Sequence, residues 1–171
     1  MEQASVIRAA IVIALAALLD AVVVPYLTFG FFSPRLTLIA VVFAVAPLRD
    51  LQAVLLGFFG GILLDALGSD LFGVGALGGL LAAMLASRAS AVRRRGSERI
   101  LLAQVIGLAV AGYDLLGYSA RWLAGLGVPQ LGEYAVGGVL PDAVINALLA
   151  YLVGGWLLKV VDVKPTHSWE K

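Results

Sequence analysis

The chain has 171 residues, of which 61% are hydrophobic and 13% charged, with a formal net charge of +1. A mean hydropathy of +1.00 lies far outside the range of soluble globular proteins, and so few charges could not cover a water-soluble fold of this size. Composition therefore reads as a single, all-α, integral membrane domain. The absence of cysteine removes disulfides, thiolate metal sites and cysteine nucleophiles together. The one histidine, His167, sits in the polar C-terminal tail, so no intramembrane histidine site is expected.

The first apolar run, residues 6–27, matches the about 20 residues that cross a hydrocarbon core. A signal peptide is the competing reading, with Arg8 ahead of an apolar stretch. No small-residue cleavage site and polar mature domain follow, and Asp20 interrupts the run, so an uncleaved span is expected. The second segment, 28–47, is ambiguous. Only 12 residues separate Pro34 from Pro47, too few to span alone, and the added Thr28–Phe32 gives enough length for a kinked span or a re-entrant helix. A kinked full span leaves less apolar backbone needing special cover and is preferred.

Arg49-Asp50 forms a polar turn, with Asp50 expected to N-cap the third helix, 51–67. A turn at Gly68-Ser69-Asp70 leads to the fourth, 71–87. Gly57 and Gly61 in the third helix, and Gly75 and Gly79 in the fourth, are spaced four apart. This small-residue spacing lets helix backbones approach closely. Asp65 lies at the rim of the same apolar run and needs a partner, a cap or an interfacial position. Residues 87–100 hold five arginines and one glutamate. Without interleaved aromatics they suit anionic lipid headgroups better than nucleic acid.

The fifth helix, 100–124, carries Asp114 and Arg121. A loop or interfacial stretch is expected over 125–138. The sixth helix, 140–161, begins at Leu140-Pro141-Asp142, where proline and an acid suit a first turn. Asp142 and Asn146 share a face, compatible with an ion site or an interhelical hydrogen bond. With six spans and both termini cytoplasmic, ten basic residues lie inside and two, Arg35 and Arg121, outside. A re-entrant second segment gives the same tally, so the helix count stays open on charge alone. In either case the turn after Asp65 faces outward. Arg35 and Arg121 are the natural counter-charges for the outer acids Asp20, Asp65, Asp70, Glu133 and Asp142, with Asp114 near mid-membrane or slightly outward. An unpaired ion in the membrane costs roughly 2.5–3.5 kcal/mol, so at least one such pair is expected.

No phosphate-binding loop, zinc-protease helix or nucleophile-base pair is present in the sequence, and no catalytic residue or cofactor is expected. Pro34 opening a short apolar segment, the turn at Arg49-Asp50, Gly57-Phe58-Phe59-Gly60-Gly61-Ile62-Leu63-Leu64-Asp65, and then Leu71-Phe72-Gly73 together resemble the MreD family of rod shape-determining membrane proteins. The resemblance covers most of the chain in layout and about residues 34–80 in motif. It implies a non-enzymatic, multi-pass inner-membrane component of the cell-elongation machinery that helps organise peptidoglycan synthesis. The implied partners are MreC, MreB, RodA and a class B penicillin-binding protein. The implied architecture is similar to the S components of energy-coupling transporters. On this reading Gly57, Phe58, Gly61, Asp65, Gly73, Gly75 and Gly79 pack the hairpin or receive a partner's helix. The alternative is a transporter's ligand-binding subunit, with a cavity lined by Asp65, Asp114, Arg121 and Asp142.

Overall fold

The computed structural model describes residues 2–27, 33–68, 71–91 and 98–160, and these are helical with short connections. Helix α1 (Glu2–Val22) runs into a short turn of helix, α2 (Val24–Leu27). Next come α3 (Leu36–Val45), α4 (Asp50–Leu67), α5 (Val74–Ala91) and α6 (Glu98–Leu123). The last element is composite: α7 (Leu131–Tyr134), a π-helical turn (Ala135–Val139) and α8 (Leu140–Val160). Four stretches are long and apolar enough to cross a membrane: Ser5–Tyr26, Asp50–Leu67, Arg99–Leu123 and Leu131–Val160. The chain is a polytopic helical membrane protein. Ser69 and Asp70, Thr28 to Phe32, the arginines at 93–95 and the tail from Val161 lie outside the described residues.

The centre of the molecule is α3. Its sequence, LTLIAVVFAV, has no polar face, and every residue from Thr37 to Val45 is buried. It touches α1, α4, α5, α6 and α8. A helix apolar all round belongs inside a bundle. Between membrane helices this packing rests on dispersion and on hydrogen bonds, because lipid tails are as apolar as leucine. Phe43 is fully buried and meets α8 at Gly154, where an added Cβ would lie 2.5 Å from the ring.

The ends of α3 mark the two ends of the bundle. Its first residues meet the C-terminal part of α1 at Asp20, and the C-terminal part of α4 returns to the same end. Its last turn leads to Asp50 at the opposite end, where the Ser87 hydroxyl of α5 donates to the Asp50 carboxylate. Between these two contacts α3 itself runs from the Asp20 end toward the Asp50 end without reversing. With only 10 residues, α3 rises about 15 Å, half of a hydrocarbon core.

Two local expectations are corrected. Asp50 is not an N-cap: Arg49 occupies that position without a side-chain cap, and Asp50 stands in the first turn bonded to Ser87. The last helix does not begin near residue 140 after a loop. Helix already starts at Leu131, and the Leu140 amide donates to the Ala135 carbonyl across a π turn. Pro141 has no amide hydrogen and crowds the carbonyl four residues back, which a wider turn accommodates. Asp142 consequently stands inside a long helix.

Candidate functional site

Four acids lie toward the N-terminal end of α3, and each has a specific donor or counter-charge there. Asp20 of α1 accepts hydrogen bonds from the Leu36 amide at 2.9 Å, the Thr37 amide at 2.7 Å and the Thr37 hydroxyl. It is a cap supplied from another helix. The orphan amides of α3 would otherwise lie in low dielectric without partners.

Asp65 of α4 does the same for α5. Its carboxylate accepts from the amides of Gly73 at 2.9 Å, Gly75 at 2.7 Å and Ala76 at 2.9 Å. Gly73 has φ +103°, a conformation that strains other residues and that turns its amide toward Asp65. A side chain at Gly75 would meet the Asp65 carboxylate oxygen at 2.5 Å and the Gly61 carbonyl at 2.6 Å. The acid, the positive-φ glycine and the bare glycine form one device. Both hairpins, α1–α3 and α4–α5, are thus closed by a carboxylate near the end of the first helix bonded to the opening amides of the second.

Asp114 and Asp142 bind Arg35. The guanidinium lies 3.3 Å from Asp114 and 3.7 Å from Asp142, and 4.7 Å above the Tyr113 ring. The Arg35 amide donates to Asn146 Oδ1 at 2.8 Å. The Asn146 side-chain amide in turn donates to Asp142 and to the Ser33 carbonyl, at 3.0 and 3.1 Å. The chain entering α3 is therefore held by α6 on one side and α8 on the other. Asn146 is fully buried, and with its hydrogen bonds spread over these groups it acts as a packing polar residue.

Arg121 lines a small cavity of about 60 Å³ with Asp114, Tyr113 and Tyr134. Asp65 lines a different and larger groove, about 430 Å³, between α1 and α4. Asp142 is buried against Arg35 and lines neither. Of the four residues proposed from sequence for one ligand cavity, Asp114 and Arg121 thus share the small cavity and Asp65 lines the groove, with Arg35 and Tyr113 bordering both spaces.

The glycines are occupied by one another. A Cβ at Gly61 would lie 2.6 Å from Ala76 Cα, and one at Gly57 would lie 2.5 Å from the Gly79 carbonyl. Gly79 in turn faces Gly57 and Gly61. Their small faces close the α4–α5 seam, so they do not offer an open surface to a partner's helix. Phe58 points the other way, 39% exposed, beside the more exposed Phe59 at 6.2 Å between rings. Among the described residues no group of three or more metal-ligating side chains is present.

From sequence, Asp20 reads as a break in an apolar run and as one of the outer acids in need of a counter-charge; its role as a cap for α3, and the parts played by Thr37 and Tyr113, are not legible there. The usable signal was the need of any intramembrane acid for a donor. Which donor it finds depends on backbone brought close from 16 residues away.

Fold and site together define a polytopic helical membrane protein whose buried charges close hairpins and join helices. The family model for the rod shape-determining protein MreD matches residues 3–162, and the chain belongs to that family. No curated protein and no solved structure matches it.

Proposed function

We propose that this rod shape-determining membrane protein works without chemistry of its own, as a multi-pass inner-membrane component of the cell-elongation machinery. It binds MreC and, through a complex with MreB, RodA and a class B penicillin-binding protein, helps organise peptidoglycan synthesis. The observation that carries this reading is the family match over residues 3–162. Two features support it. The acids near the N-terminal end of α3 are engaged in helix caps and in the Arg35 cluster, which fits a scaffold better than an enzyme. The small-residue seam of the hairpin is closed internally, which leaves Leu55, Phe58 and Phe59 as the outward face of α4. Aromatic side chains on such a face are natural anchors for a partner.

The orientation in this reading follows the ten-to-two distribution of basic residues, with both termini cytoplasmic and the Arg35 end outward. Its test is co-purification with tagged MreC from membranes. Wild-type protein is expected to co-elute, and the double variant Phe58→Ala, Phe59→Ala to co-elute poorly while keeping its melting temperature. Equal recovery of MreC by both would reject the α4 face, and no recovery by wild type would reject the MreC assignment. A ligand-binding transporter subunit is the second reading, favoured by the groove between α1 and α4. A water-soluble molecule of vitamin size retained through purification would favour it.

A further inference from the structure

The α4–α5 hairpin is shorter than the membrane it crosses. At 18 residues, α4 rises at most about 27 Å, and tilt only reduces its height, whereas a hydrocarbon core is about 30 Å thick. The hairpin is also closed at both ends. Asp50 pairs with Ser87 at one, and at the other Asp65 holds the amides of Gly73, Gly75 and Ala76. A rigid unit of this kind cannot lengthen to fit.

The shortfall lies at the Arg35 end. Val74, the first residue of α5, packs against Gly117 of α6, where an added Cβ would lie 3.7 Å from its side chain. From there α6 continues to Leu123, and Trp122 is 64% exposed. Tryptophan favours the headgroup level, and Arg99 lies about 34 Å away along the same helix, which suits a core with its margins. The start of α5 therefore sits up to about 8 Å deeper than Trp122. The connection before it is exposed at Gly68 and Phe72, and by sequence it contains Ser69 and Asp70. Backbone and an acid at that depth need water or headgroups. Raising the whole protein would instead draw the exposed Asp50, Arg88 and Lys159 into the core.

We propose that the leaflet at the Arg35 end is thinned against the α4–α5 hairpin, and that relief of this strain docks a partner's membrane-spanning helix of short apolar run on the face of Leu55, Phe58 and Phe59. Lipid bordering a short hairpin must shorten its chains, at a cost that grows with each ångström of mismatch. A helix of about 17 apolar residues matches α4 in height and takes the place of that lipid. The other side of the bundle has no deficit, since Arg99–Leu123 has 25 residues and Leu131–Val160 has 30. Mismatch therefore favours the α4 face over α6 and α8. The inference deepens the MreC reading and rests on it for the partner's identity.

The test places the full chain in phosphatidylcholine vesicles whose acyl chains run from about 14 to about 20 carbons. A polarity-sensitive fluorophore on Phe72→Cys, a position 75% exposed in a chain without cysteine, reports the height of the leaflet. Its emission is expected to stay interfacial at every chain length, and a blue shift into hydrocarbon in the longest chains would overturn the thinning. Energy transfer to labelled full-length MreC should show association about tenfold tighter in the longest chains than in the shortest. An affinity that is flat or falls with thickness would overturn the docking, as would a rise confined to association between copies of this chain. No association with MreC at any thickness would reject the MreC reading itself, and the Phe72 probe would then decide the thinning alone.

Discussion

The Arg35 guanidinium stands 3.3 Å from the Asp114 carboxylate, joining positions 79 residues apart in the chain. This contact and the 3.7 Å approach to Asp142 tie the start of a ten-residue helix to two others. Apolar packing alone specifies register weakly in a membrane, since a shifted helix trades protein contacts for equivalent lipid contacts. A charge cluster has no such substitute.

Arg35→Ala leaves two buried carboxylates without their counter-charge and should destabilise the protein by about 3 kcal/mol. Thermal unfolding in detergent measures it. Adding Asp114→Asn and Asp142→Asn to Arg35→Ala should recover part of the loss, because the uncompensated charges are gone. A triple variant no more stable than Arg35→Ala would show that packing around Arg35 carries the effect.

Asp65→Ala removes the acceptor of three amides at the start of α5, two of them in buried hydrogen bonds. A lost cap together with unsatisfied amides should cost about 2–4 kcal/mol. Asp65→Asn keeps one acceptor oxygen and should cost about half as much. Hydrogen exchange is expected to rise first at Gly75 and Ala76. Unchanged exchange there would contradict the cap.

These two acids also show what the sequence could and could not reveal. Hydropathy located the apolar helices, and Asp65 carried a readable demand for a cap or a counter-charge. The identity of the cap's recipient was hidden, because an ordinary cap is local and these come from a neighbouring helix. Pro34 was legible as a helix-opening residue, but the Asp20 carboxylate that receives the first amides of α3 was not. By soluble-protein propensity residues 125–138, with Gly127, Pro129 and Gly132, read as a loop, and Pro141 as the opening of a helix. At membrane depth unpaired backbone is so unfavourable that the helix runs from Leu131 through Pro141 with a π turn.

The glycine seam gives a contrast within one chain. Gly61→Ala places a Cβ 2.6 Å from Ala76 Cα, so α4 and α5 must separate, at about 1–3 kcal/mol. Gly132→Ala meets nothing within 4 Å and should change stability by less than about 0.5 kcal/mol. Melting temperatures of the two variants in the same detergent make the comparison. Equal effects would mean that the hairpin is looser than its backbone contacts indicate.

The most direct test of the functional account is cross-linking in cells between this chain and the membrane-spanning helix of MreC. The protein has no cysteine, so each single-cysteine variant gives an unambiguous site. Phe59→Cys reports on the outward face of α4 and Leu152→Cys, at a position 76% exposed, on α8. With cysteines scanned along the MreC helix, the account predicts a disulfide-linked product from Phe59→Cys and little from Leu152→Cys. A product from Leu152→Cys alone, or from neither while both variants restore rod shape, would contradict it.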